Sequence, residues 1–270
     1  MDRPQAGALR LRIASALVLA PLALIFAWAG GWLLTVLVAA AALLMLGEWH
    51  SIMGGQAFDL PGVVRGVALF VALFVAGLGH ATIAAIVILV LTTLVALAAA
   101  WNAGLPRWSA VGIAYIGLPC IALIWLRRNP EGGLGAVFWL FAVVWATDTA
   151  AYISGRLIGG PKLAPRFSPN KTWAGLIGGA LAAALVGVFA ARLMGDAPML
   201  SMALASAGLA VVAQAGDLVE SALKRRFGVK DASTLIPGHG GVLDRLDGML
   251  FAAPVFVVLM MWTGGVQSWR

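Results

Sequence analysis

Between Gly216 and Gly248 the chain reads GDLVESALKRRFGVKDASTLIPGHGGVLDRLDG. In a sequence that is 62% hydrophobic this is the most polar passage, and it follows directly on an apolar run. Five of the eleven acids lie here (Asp217, Glu220, Asp231, Asp244, Asp247), as do Lys224, Arg225, Arg226, Lys230 and Arg245. Asp217, Glu220, Ser221 and Lys224 recur at i, i+3, i+4 and i+7, so a helix places them on one face with Arg225 at its edge. Pro237-Gly238-His239-Gly240-Gly241 cannot continue that helix, and its small residues let backbone N–H groups come close to a ligand. Asp244 and Asp247 then fall in the first turn of the last apolar helix. Carboxylates at both ends of a basic, glycine-containing loop suit a divalent cation and a polyphosphate, the first held by hard oxygen donors, the second by Lys, Arg and N–H groups.

Around this passage the chain is membrane protein. Its 270 residues have a mean hydropathy of +0.98 and only 11% charged residues, where soluble chains carry roughly 25%. A hydropathy pass gives about nine spans of ~17–25 residues. They cover 13–30, 32–49, 63–79, 81–100, 108–126, 134–154, 173–194, 199–223 and 248–266. The expected fold is therefore all-α and polytopic. Residues 1–128 form N-terminal transmembrane helices, and 129–270 a C-terminal catalytic region with cytosolic loops. With a cytosolic N-terminus, fourteen Lys and Arg fall inside and only Arg127, Arg128, Arg192 and Arg270 outside, a positive-inside pattern that puts the polar passage on the cytosolic face. The net charge of +7 follows from the same bias, so no nucleic-acid partner is expected. Ile13 to Trp28 reads as an uncleaved first helix, because another hydrophobic segment follows at once.

Glu48, in Gly47-Glu48-Trp49-His50, reads as a structural acid at the interface. His50 and His80 have no metal-ligand spacing, and the single Cys120 packs in an apolar segment. Asp148 stands near the end of the sixth span with Tyr152 at i+4 and Arg156 at i+8. An acid at that depth should face a polar interior, which marks it as functional or as half of an Asp–Arg pair. Next, residues 159–173 contain three prolines, two glycines and Lys162, Arg166 and Lys171. This reads as a basic loop in which Ser168 caps a turn and Lys171-Thr172 begin the next helix, an arrangement that suits phosphate.

Ser221-Ala-Leu-Lys224-Arg225, Lys230-Asp231 and Pro237-x-His239-Gly240-Gly241-x-x-Asp244-Arg245-x-Asp247 together resemble the signature of the phosphatidate cytidylyltransferases of the bacterial type. The Asp148-x-x-Ala-Tyr152-x-x-Gly-Arg156 run and Ser168-Pro-Asn170-Lys171-Thr172-Trp resemble two further family motifs. Ala150 and Ala174 depart from it, standing where the family often has Gly and Glu. The resemblance implies transfer of the cytidylyl group of CTP to phosphatidate, giving CDP-diacylglycerol and pyrophosphate for phospholipid synthesis in the inner membrane. It implies Mg²⁺ on Asp217 and Asp244, with Asp148, Glu220, Asp231 and Asp247 nearby and room for a second, monovalent cation. Lys224, Arg225, Lys230 and Arg245 would neutralise the triphosphate, and His239 would touch phosphate, carry a proton or order the loop. Tyr152, Arg156, Arg166, Ser168, Asn170, Lys171, Thr172, Ser221, Gly240 and Gly241 would line the substrates. A homodimer is compatible with the sequence. The rival readings are a CTP-using polyprenol kinase, which would release CDP, and a transporter, whose acids should line a midplane pathway.

Overall fold

The computed structural model describes residues 4–55, 59–101, 108–130, 132–193, 198–238 and 240–263, with the side chains of 4–13 and 101 excepted. The nine helices among these residues coincide with the nine expected spans: α1 (Pro4–Ala29), α2 (Gly31–Ile52), α3 (Leu60–Gly77), α4 (Ala81–Trp101), α5 (Trp108–Arg128), α6 (Gly133–Leu157), α7 (Trp173–Leu193), α8 (Met199–Arg226) and α9 (Leu243–Thr263). Eight are long and apolar enough to cross a membrane, and α1 adds the shorter apolar segment Ala14–Ala29. Helices dominate because hydrocarbon offers backbone N–H and C=O groups no partner outside their own segment. The chain is a multi-pass, all-α membrane protein.

Residues 1–128 and 227–246 form one compact unit, and 129–226 with 247–270 form another. In the first, α5 packs on α2, α3 and α4. Gly112 of α5 lets the Trp49 indole lie against the backbone, where a Cβ would come within 2.4 Å of it. The same indole donates to the Trp108 carbonyl at 2.9 Å. The α5 C-terminus is used as a clamp: Arg127 donates to the carbonyls of Ala27 (2.5 Å) and Trp28 (2.8 Å), and Arg128 to that of Gly77 (2.5 Å). These carbonyls end α1 and α3, so the two cations meet helix C-termini that lack intrahelical donors. Gly30, at φ 65°, turns the chain from α1 into α2 and leaves space that the Arg127 guanidinium fills.

In the second unit α7 packs against both α6 and α8. Glycines make the approach close, as is usual for helices in membranes. A Cβ on Gly175 would lie 2.9 Å from the Ala151 carbonyl, and one on Gly187 would lie 2.3 Å from that of Met202. Trp139 of α6 donates to Ser206 of α8 at 3.1 Å and meets Phe256 of α9 edge-on at 5.0 Å.

The expected basic loop before α7 is a hairpin instead: β1 (Lys162–Ala164) pairs antiparallel with β2 (Ser168–Thr172). Pro169 is tolerated because both strands of a two-stranded ribbon are edges, so a missing N–H need not break the ladder. Ser168, expected to cap a turn, lies in β2. Thr172, expected at the start of the next helix, ends β2 and caps α7, its hydroxyl accepting from Gly175 N at 3.1 Å.

Candidate active site

The polar end of α8 is helical through Arg226, which sets the predicted face in place. Ser221 donates to Asp217 at 3.3 Å and Lys224 to Glu220 at 3.0 Å, both one turn apart. Glu220 is 1% exposed, so its charge is tolerable only with a paired cation, which the next turn of the helix supplies.

Asp217 receives a cation from elsewhere. Lys171, the penultimate residue of β2, reaches its carboxylate at 2.6 Å and also donates to the Gln214 carbonyl at 3.4 Å. The hairpin makes this reach possible, since β2 runs straight into α7 beside α8. Gly216 completes the setting: a Cβ there would lie 2.8 Å from the Asp247 carbonyl and strike Phe251, so α9 lies directly against α8. Asp247 therefore feels the charges of Asp217, Asp148 and Lys171, and its Oδ1 accepts from Gly248 N at 2.7 Å.

These acids fit a hard divalent cation in donor chemistry: three carboxylates brought within electrostatic range, with an ammonium already seated on one of them. Among the described residues no three acids, histidines or cysteines converge at ligating spacing. Lys171 brings a cation into the cluster.

The loop between α8 and α9 has its own anchors within the first unit. Asp244, 7% exposed, accepts from Ala232 N at 2.8 Å and Gly241 N at 2.7 Å through the same oxygen. Ile236 N donates to the Gly240 carbonyl at 2.8 Å, closing the tip. Lys230, Asp231, Ser233, Thr234, Gly238 and Arg245 line an open cavity of about 540 Å³. Gly240, at φ +81°, cannot readily be replaced, because a Cβ would sit 2.6 Å from the Asp244 carboxylate.

Asp148, exposed on α6, is the third acid of the group around Asp247. The other predicted residues fall outside these clusters: Arg156 donates to the Tyr152 hydroxyl at 2.8 Å. Arg166 lies over the Phe167 ring at 5.8 Å, while Asn170 is exposed in β2 and Arg225 at the end of α8. His239 lies outside the described residues.

Glu48 has a larger part than sequence reasoning gave it. It is 6% exposed and accepts from Ser233 Oγ (2.7 Å), Val242 N (2.9 Å) and Leu243 N (2.8 Å). Its acidic side chain at the polar end of a span was the available signal; its partner, 185 residues on, left none.

A family model for the cytidylyltransferase family matches residues 10–263. A phosphatidate cytidylyltransferase of Brucella suis is 41% identical over 245 residues, 91% of this chain and 90% of the relative. One from Brucella abortus is 40% identical with the same coverage. One from Staphylococcus haemolyticus is 40% identical over 152 residues, 56% of this chain and 57% of the relative. With nearly its whole length matched, this chain belongs to the cytidylyltransferase family.

Proposed function

We propose that this protein transfers the cytidylyl group of CTP to phosphatidate, forming CDP-diacylglycerol and pyrophosphate. The observation that carries the reading is the family match across residues 10–263, together with relatives of that name aligned over nine-tenths of both chains. A phosphate oxygen of phosphatidate forms a bond to the α-phosphorus of CTP. The bond from that phosphorus to the α,β-bridging oxygen breaks, and pyrophosphate leaves with the electron pair. Such a displacement depends on alignment and charge neutralisation more than on covalent help from the protein.

Asp217 and Asp247, with Asp148 in electrostatic range, are the residues that would hold Mg²⁺ together with oxygens of the substrate, in place of the expected pair Asp217 and Asp244. When bound, the ion supplies charge neutralisation of the triphosphate. Lys171 pairs with the Asp217 carboxylate at 2.6 Å and orients it. In the loop, Lys230 and Arg245 face a cavity of about 540 Å³, and their role is to bind phosphate oxygens. Asp244 keeps the loop folded, since two backbone N–H groups already converge on one of its oxygens. The positive-inside distribution supports an inner-membrane setting with these polar segments on the cytosolic side, where CTP is made.

The deciding experiment uses detergent-purified protein with phosphatidate, Mg²⁺ and CTP labelled on the α-phosphorus. Label in the lipid fraction with equimolar pyrophosphate is expected. Label retained in CDP would assign a lipid kinase, and an absence of turnover with any lipid phosphate or polyprenol would overturn the proposal.

A further inference from the structure

We infer that Glu48 is a positioning residue for this reaction, acting through the loop that carries Lys230, Asp231 and Arg245. The activity part of this inference rests on the cytidylyl-transfer reading above.

Glu48 belongs to α2, far from the loop in sequence, yet its carboxylate fills three of the loop's bonds. Oε1 accepts from Ser233 Oγ at 2.7 Å and from Val242 N at 2.9 Å, and Oε2 accepts from Leu243 N at 2.8 Å. The last two donors open α9, where N–H groups have no intrahelical acceptor and a negative charge is favoured. Ser233 passes the constraint on by accepting from Leu235 N at 3.2 Å. Gly241 is what lets the acid in, since a Cβ there would meet its oxygens at 2.6 Å.

The loop is thus gripped at two places. Asp244 draws Ala232 and Gly241 inward from the loop's own helix, and Glu48 holds Ser233 and Val242–Leu243 from a different helix. Lys230, Ser233 and Arg245 all line the open cavity of this segment. Charge-assisted bonds to helix-terminal N–H groups are the strong kind, and removing the acceptor leaves the buried Leu243 N–H unsatisfied. Because catalysis by alignment is sensitive to displacements of about 1 Å, loosening this grip should slow turnover.

The test uses full-length protein carrying Glu48→Gln, Glu48→Ala, Ser233→Ala or Glu48→Gln with Ser233→Ala. Amide hydrogen exchange over 230–245, thermal unfolding, and kcat and KM for CTP and phosphatidate are measured on each. The expected result is faster exchange confined to that segment and a kcat lower by about 10–100-fold for Glu48→Ala. Glu48→Gln, which keeps one acceptor, should be milder. Its combination with Ser233→Ala should fall short of the product of the single effects, because both changes release the same contact. Unchanged exchange in 230–245, or activity lost only in proportion to global unfolding with multiplicative single effects, would overturn the inference. If Glu48→Ala does not fold, Ser233→Ala decides by the same readouts. Should the unmodified protein transfer no cytidylyl group, the function proposed above fails, while hydrogen exchange still decides whether Glu48 holds the loop.

Discussion

Lys171 and Asp217 lie 46 positions apart and meet at 2.6 Å, so each is expected to need the other. Asp217→Asn and Lys171→Met should each lower kcat by roughly 10²–10³-fold, the range for losing one preorganised electrostatic partner. Combined, they should do little more than the worse single change, which steady-state assays on all three variants would show. Asp59 offers a test of stability instead. It caps α3 by accepting from Gly62 N at 2.6 Å and pairs with His50 at 2.9 Å, whose other ring nitrogen receives Arg65 at 2.8 Å. The Gly62 N–H first, and then His50, hold the Asp59 carboxyl below its ordinary range. A lowered folded value means that its contribution is present above about pH 4 and fades as pH falls through the folded value. The Tm difference between the unmodified protein and Asp59→Asn should therefore be present above about pH 4 and shrink on acidification below it. Sequence made the acids and bases of 216–248 visible because charge is rare in this chain. It could not show that Glu48 serves the loop, because hydrogen bonds across such separations leave no local pattern.

Helix positions were the most legible feature, since each span must satisfy its own backbone and so announces itself as an apolar run of fixed length. The hairpin was the least legible. Its two strands are short, proline interrupts the usual strand pattern, and what fixes it is the anchorage of Lys171 and Thr172 to neighbouring helices. The glycines of α7 read only as small residues in the sequence, yet their spacing sets how closely that helix packs. Gly187 is the sharpest case, with the Met202 carbonyl 2.3 Å and the Ser206 hydroxyl 2.5 Å from any added Cβ. Gly187→Ala should destabilise the protein by about 1–3 kcal/mol through overpacking, seen as a lower Tm in detergent. The same change at Gly208 of α8, where an added Cβ would meet nothing within 4 Å beyond its chain neighbours and its own helix backbone, should cause no such loss of Tm.

Across the molecule, the charge count that predicted orientation left a few cations on the outer side, and two of them have a structural use. Arg127 and Arg128 are spent on the carbonyls that end α1 and α3, so they satisfy helix termini without weakening the cytosolic bias. Orientation itself is directly measurable. Lys162→Cys should react with a membrane-impermeant thiol reagent only from the cytosolic side, and Gly132→Cys only from the other; Cys120 is buried and should stay silent in both. The reverse labelling would invert the proposed topology. The division near Arg128 that composition suggests is also cut across by packing, because residues 227–246 belong with the first unit. That return has a consequence in time. Glu48 is synthesised early, while its partner Leu243 follows 195 residues later. At ~5–20 residues per second the interval is about 10–40 s. Throughout it, a carboxylate at the end of the second helix waits for the donors that will bury it. The N-terminal half can be fully inserted in the bilayer and still not be finished until the last span begins to emerge from the ribosome.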